Sequence, residues 1–146
     1  MTDKSNLAQK FAGIREYWSP KIAGEVNDTF IKLVKFKGDF VWHHHDHEDE
    51  LFLVVKGWFI MRLRDGVRTR SASERTTPDP MGTGSASEPA TREVRINEGE
   101  FIIVPRGVEH MPVAPEEVEV MLIEPRTTLN TGNVVNERTL RELGRV

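Results

Sequence analysis

Apolar positions along the chain change period near residue 29, and the change divides the sequence. In residues 5–14, Leu7, Phe11 and Ile14 recur at helical spacing behind Ser5, which predicts a short N-terminal helix capped by that serine. Pro20 and Gly24 stop any continuation. From Thr29 the pattern is that of a strand: Phe30, Ile31, Leu33, Val34 and Phe36 are β-branched or bulky, and Gly38 with Asp39 forms a closing turn. Five further strands are predicted at residues 40–45, 50–55, 58–64, 100–104 and 118–123, each short and bounded by Gly, Pro or charged residues. Many short strands separated by turn signals point to an all-β sandwich or barrel.

One stretch carries neither period. Residues 68–92 contain no Val, Ile, Leu, Phe, Trp or Tyr, and fourteen of these 25 positions are Gly, Pro, Ser or Thr. Such a segment buries too little apolar area to offset its ordering entropy. It is expected to be a mobile polar insertion, inert rather than a lid, between the strand ending near Arg64 and one around Val94. The tail from residue 127 to 146 is polar, with a turn expected at Asn130, Thr131, Gly132 and Asn133 and at most one helical turn over 140–143.

Composition narrows the class. A chain of 146 residues, 38% of them hydrophobic, suits a single domain with an ordinary core. Its longest unbroken apolar run, residues 51–55, is five residues long, whereas a membrane span needs ~20. The first residues are polar and contain no apolar stretch of signal-peptide length, so a cytoplasmic location is expected. With no cysteine, disulfides, thiolate metal sites and a cysteine nucleophile are excluded. Twenty Lys and Arg against 23 Asp and Glu give a net charge of −3 with the signs interspersed. No clustered positive charge marks a nucleic-acid partner.

The histidines carry the candidate chemistry. In a strand, alternate side chains face opposite sides, so Asp39, Val41, His43 and His45 share one face and Phe40, Trp42 and His44 the other. His43 and His45 can then offer one ring nitrogen each to a single cation. Glu50, which shares its parity with Phe52 and Val54 in the next strand, supplies a charged third ligand. His110 is the one histidine distant in sequence from the other four. It follows Pro105, Arg106 and Gly107, read as a tight turn with Pro105 at position i+1 and Gly107 at i+3, which would return the chain beside the first pair.

These residues resemble the two sequence motifs of the cupin family. Gly38, His43 and His45 separated by one residue, Glu50, and Gly57 six residues further on match the first. Gly99, five residues, Pro105 and Gly107 flanking Arg106, two residues and His110 match the second. Only four residues separate Gly38 from His43, and Ala114 stands where an Asn is often found. The 41 residues between Gly57 and Gly99 exceed the usual spacing, mostly because of the polar insertion. Residues 17–21, 32–36 and 129–132 are further similar to small single-domain bacterial cupins often labelled mannose-6-phosphate-isomerase-like by fold.

The resemblance implies an all-β double-stranded β-helix, or jelly-roll barrel, over residues 26–125, with an N-terminal arm at 1–25 that includes the short helix. It implies one divalent transition metal ion, Zn, Ni, Mn or Fe, on His43, His45, Glu50 and His110, with positions left for substrate. Iron or manganese would add dioxygen chemistry; zinc or nickel would suit isomerisation or hydrolysis. His45 and His47 with Asp49 or Glu50 form a competing ligand set, while His44 and His47 are otherwise expected at the surface. Glu50 is the one candidate general base, Arg106 is a solvated turn charge or a clamp for a substrate carboxylate, and Phe52, Val54 and Met61 are expected to line the pocket. The expected function is a metal-dependent enzyme, isomerase- or dioxygenase-like, on a small polar metabolite; the alternative is a non-catalytic module that binds or senses a small ligand. Outward-facing Leu51, Leu53, Val55, Trp58 and Ile60 point to a homodimer.

Overall fold

The computed structural model describes residues 2–64 and 90–146, and the expected insertion at 68–92 therefore lies outside the described residues except at its end. There, Thr91 and Arg92 already belong to a strand. Helix α1 (Leu7–Ala12) is capped by Asn6 rather than Ser5, its side chain accepting from the Gln9 amide at 3.0 Å. Seven strands follow among the described residues: β1 (Lys21–Val26), β2 (Thr29–Asp39), β3 (Glu50–Lys56), β4 (Trp58–Arg64), β5 (Thr91–Asn97), β6 (Phe101–Val104) and β7 (Glu109–Pro125).

All strand pairs are antiparallel, and their register runs β1-β2-β7-β3-β6, with β4 joining β7 to β5. Strand β7 links the two halves of the barrel. Its first residues, Glu109 to Val113, pair with β4, and Glu119 to Ile123 pair with β3. Between them, residues 115–117 bulge opposite Lys37, because Phe36 faces Val118 while Gly38 faces Ala114. Gly57, in the β3–β4 turn, packs against this bulge: a Cβ there would lie 3.1 Å from the Glu117 carbonyl, and its φ is +93°. The result is the expected all-β jelly roll.

Parity explains the core. Even residues of β2, β3 and β7 and odd residues of β4 point inward, so Val34, Phe36, Phe52, Val54, Phe59, Met61, Val118, Val120 and Leu122 form one buried cluster. A smaller cluster lies outside it, where Phe11 and Ile14 cover Leu33 on the outer face of β2.

The boundaries differ from expectation in two places. The barrel begins at Lys21, not residue 26, because β1 pairs with β2 across a tight turn in which Asn27 has a φ of +53°. Residues 40–45 are not a strand; only His43 bridges to β7, through His110. The C-terminal tail packs along β1, where Ile22 exchanges backbone hydrogen bonds with Gly144 and Val146. No helix among the described residues is long and apolar enough to cross a membrane.

Candidate metal centre

Glu50 opens β3 with its side chain inward, and His110 occupies an inward position of β7 opposite Leu63. His43 and His45 come from the irregular segment between β2 and β3. His43 is drawn against His110 by paired backbone hydrogen bonds of 3.1 and 2.8 Å. The His45 carbonyl accepts from the Gly107 amide at 2.7 Å. That amide belongs to a turn in which Val108 donates to the Pro105 carbonyl, so Pro105 is position i and not i+1. Gly107, at i+2 with a φ of +81°, meets the requirement of a type II turn.

These four residues are all buried, and each brings one ligating atom to a group in which all lie within 4.8 Å of one another. The Glu50 Oε2 atom is 3.0 Å from His45 Nε2 and 3.6 Å from His110 Nε2. None of these three atoms has a hydrogen-bonding partner of acceptable geometry. The histidine tautomers follow from their other nitrogens. His43 Nδ1 lies 2.8 Å from the Val41 carbonyl and His110 Nδ1 2.9 Å from that of Val108. A carbonyl cannot donate, so both Nδ1 atoms carry a proton, which leaves Nε2 as the atom each ring can offer to a cation. Burial, and next the neighbouring His110, lower His43 to about 3, which keeps its imidazole neutral. Burial alone would raise Glu50, but contacts with His110 and His45 outweigh it and hold the carboxyl well below its ordinary value. Ring nitrogens and a carboxylate oxygen that are buried together without hydrogen-bond partners fit one divalent cation.

The competing ligand set does not assemble. His47 and Asp49 are exposed, and Asp49 is engaged by Arg106 through its amide at 2.9 Å and its guanidinium at 3.2 and 3.3 Å. Arg106 is thus a turn charge with a carboxylate partner on this chain, which lowers the Asp49 pKa. His44 turns away and meets Asp46 at 3.0 Å.

A cavity opens beside Glu50 and His43. Its walls are Trp18, Val34, Phe36, Phe40, Phe52 and Leu122, with Glu124 and Asn130 as further polar groups. Val54 and Met61, expected there, lie instead in the core. Phe40 was expected on the face opposite His43; because no strand forms, its ring stands edge-on to His43 at 5.4 Å and stacks on Trp18 at 4.8 Å. Trp18 has a left-handed backbone, φ +59°, and is held by its amide and indole N–H on the Lys35 and Lys37 carbonyls.

Sequence reading missed a second ionic pair beside the cluster. Lys32 and Glu124 are 1% and 2% exposed, and their side chains meet at 2.5 Å. Burial, then the charge of Glu50, pushes Glu124 well above the ordinary carboxylate range, with Lys32 opposing. Parity could have found both. Lys32 alternates in phase with Phe30, Val34 and Phe36, and Glu124 with Val120 and Leu122.

Comparison with known proteins supports these features at different depths. A cupin-2 domain containing protein from Shewanella frigidimarina is 34% identical, with a TM-score of 0.65, over 84% of this chain and 94% of its own. The uncharacterized protein YdbB of Bacillus subtilis is 28% identical over 96 residues, 66% of this chain and 85% of that one. Hydroquinone 1,2-dioxygenase from Sphingomonas sp. TTNP3 superposes with a TM-score of 0.65 at 15% identity, over 86% of this chain and 33% of its own, a likeness of fold alone. No protein-family model matches the sequence.

Proposed function

The chain belongs to the cupin superfamily, and from that premise we propose that it binds one divalent transition metal ion through His43, His45, Glu50 and His110 and acts on a small polar metabolite. The observation that carries this reading is the convergence of buried, hydrogen-bond-deficient donors within 4.8 Å. When bound, such an ion supplies a Lewis acid for substrate oxygens, with coordination positions beyond the protein ligands. The chain's own residues do the rest. Trp18, Phe36, Phe40 and Phe52 exclude water and flank a flat ligand, favouring small molecules that offer two oxygens toward the cluster. Glu50 would act as the base as well as a ligand: once substrate oxygens take its place in the cluster, its freed carboxylate can accept a proton.

The test is an oxygen-uptake and isomerisation screen of the metal-loaded protein with catechols, thiols, diketones and hydroxy acids, repeated with Glu50→Gln. The reading expects Glu50→Gln to lose far more turnover than metal. A variant that loses its metal outright would leave Glu50 a ligand only, and one with full activity would remove it from both roles. A second reading, a module that binds or senses a ligand without turnover, draws on the mostly apolar walls of the cavity, which offer few groups able to move a proton. Tight ligand binding with no turnover of any substrate would select it.

Assembly as a homodimer is also proposed. Phe101 and Ile103 are 60% and 53% exposed and lie opposite Leu53 and Leu51 on the outer face of β3 and β6. Trp58, expected in this patch, is covered instead by the Arg95 guanidinium at 3.9 Å. Phe101→Lys should convert a dimeric mass in light scattering to a monomeric one; an unchanged mass would place the interface elsewhere.

A further inference from the structure

The segment that carries His43 and His45 lacks a strand on one side, and the C-terminal tail takes that place. His43 is fixed by His110, and the His45 carbonyl by Gly107. His44, between them, sends both of its backbone groups in another direction. Its amide donates to the Asn133 side-chain Oδ1 at 2.8 Å, and its carbonyl accepts from the Asn133 amide at 3.0 Å. One residue, 89 positions further on, thereby acts as a one-residue strand partner. Gly132 makes the approach possible. A Cβ there would lie 2.1 Å from the His44 carbonyl oxygen and 3.1 Å from His43 Cδ2, and its φ of +54° is one that L side chains rarely adopt.

The turn that presents these two residues is itself braced. The Gly132 amide donates to the Leu129 carbonyl at 2.9 Å, and Thr131 is fully buried. The Asn130 side chain is held at both ends, donating to the Arg138 carbonyl at 2.7 Å and accepting from the Leu140 amide at 2.8 Å. A rigid turn therefore meets the midpoint of an irregular ligand-bearing segment.

We propose that Gly132 and Asn133 are positioning residues for the metal centre, a strap that holds the His44 peptide so that His43 and His45 aim at the point shared with Glu50 and His110. This rests on the metal reading above. The physical reason is local. His43 and His45 flank the His44 peptide, so a rotation of that peptide swings both imidazoles at once. Without the strap, metal binding must supply the ordering of the segment, and affinity falls by that amount.

The experiment compares the full-length protein with Asn133→Ala and Asn133→Asp, the second of which keeps both the Oδ1 acceptor and the backbone donor. Zn²⁺ affinity is read by competition with a chromophoric chelator, geometry by the visible spectrum of the Co²⁺ form, and folding by the thermal midpoint of the metal-free protein. Asn133→Ala is expected to weaken Zn²⁺ about 10-fold, the effect typical of groups that orient metal ligands. It should also shift the Co²⁺ bands while leaving the metal-free midpoint close to wild type, and Asn133→Asp should restore affinity and spectrum. Wild-type affinity and spectrum in Asn133→Ala would overturn the proposal. So would a loss that Asn133→Asp does not restore, or one matched by a collapse of the metal-free midpoint. A wild-type protein that binds neither ion would instead overturn the metal reading itself, and the strap with it. Gly132→Ala should exceed Asn133→Ala in effect; if it does not fold, the Asn133 pair decides.

Discussion

His110 and the pair His43 and His45 reach the same point from unlike backbones. His110 sits inside β7, where Glu109, His110 and Met111 face Arg64, Leu63 and Arg62 in unbroken antiparallel register. Alternation along the strand settles which way its ring points. His43 and His45 lie where no ladder runs, and their direction depends on contacts borrowed from His110, Gly107 and Asn133. The difference teaches where the centre is strong and where it is exposed to damage. The β7 side is set by the same pairing that builds the barrel, whereas the loop side is set by a few hydrogen bonds to residues distant in sequence.

Acid should act on the loop side through His43. His43 is held at about 3 by burial and His110, below its ordinary 6.5, so the unfolded chain binds more protons than the folded one between these values. Stability of the metal-free protein therefore rises with pH across that window and is lost as pH falls from 6.5 toward 3. At 1.36 kcal/mol per unit the contribution of this one group is about 5 kcal/mol, measurable by urea unfolding at a series of pH values. His43→Gln should flatten the dependence; an unchanged slope would mean that His43 is not the group that titrates.

Within the barrel, the sharper break is at the buried pair. Lys32→Met leaves the buried Glu124 carboxyl without its partner and is expected to destabilise the fold by about 1–3 kcal/mol, with Lys32→Met/Glu124→Leu recovering most of it. The exposed pair on the loop side should respond far less: Asp49→Ala, which frees Arg106, is expected to leave the denaturation midpoint close to wild type. Chemical denaturation of the three variants checks both, and equal losses for Lys32→Met and Asp49→Ala would contradict the division between the two sides.

The same contrast explains how far the sequence could be read. Strand parity placed Glu50 with Phe52 inside β3, and the spacing of Gly99, Pro105, Gly107 and His110 placed the second turn beside the first motif. It grouped His43 with His45 although residues 40–45 form no strand, because both are drawn inward by contacts that alternation does not describe. For that reason it misassigned Phe40, whose ring joins the cavity beside His43. Lys32 and Glu124 were legible by the same parity, but their chemistry argued for solvent, and only the three-dimensional pairing shows the two side chains meeting inside. The roles of Gly132 and Asn133 had no sequence signal beyond a turn, since a contact 89 residues apart leaves no local periodicity.

Residues from both sides are proposed to hold a single metal ion. The most direct measurement is the metal content of purified protein after equilibration with Zn²⁺ and desalting, compared between His43→Ala/His110→Ala and His44→Ala/His47→Ala. One ion per chain is expected in wild type and in the second variant, and none in the first. Full metal in His43→Ala/His110→Ala, or its loss from His44→Ala/His47→Ala, would contradict it.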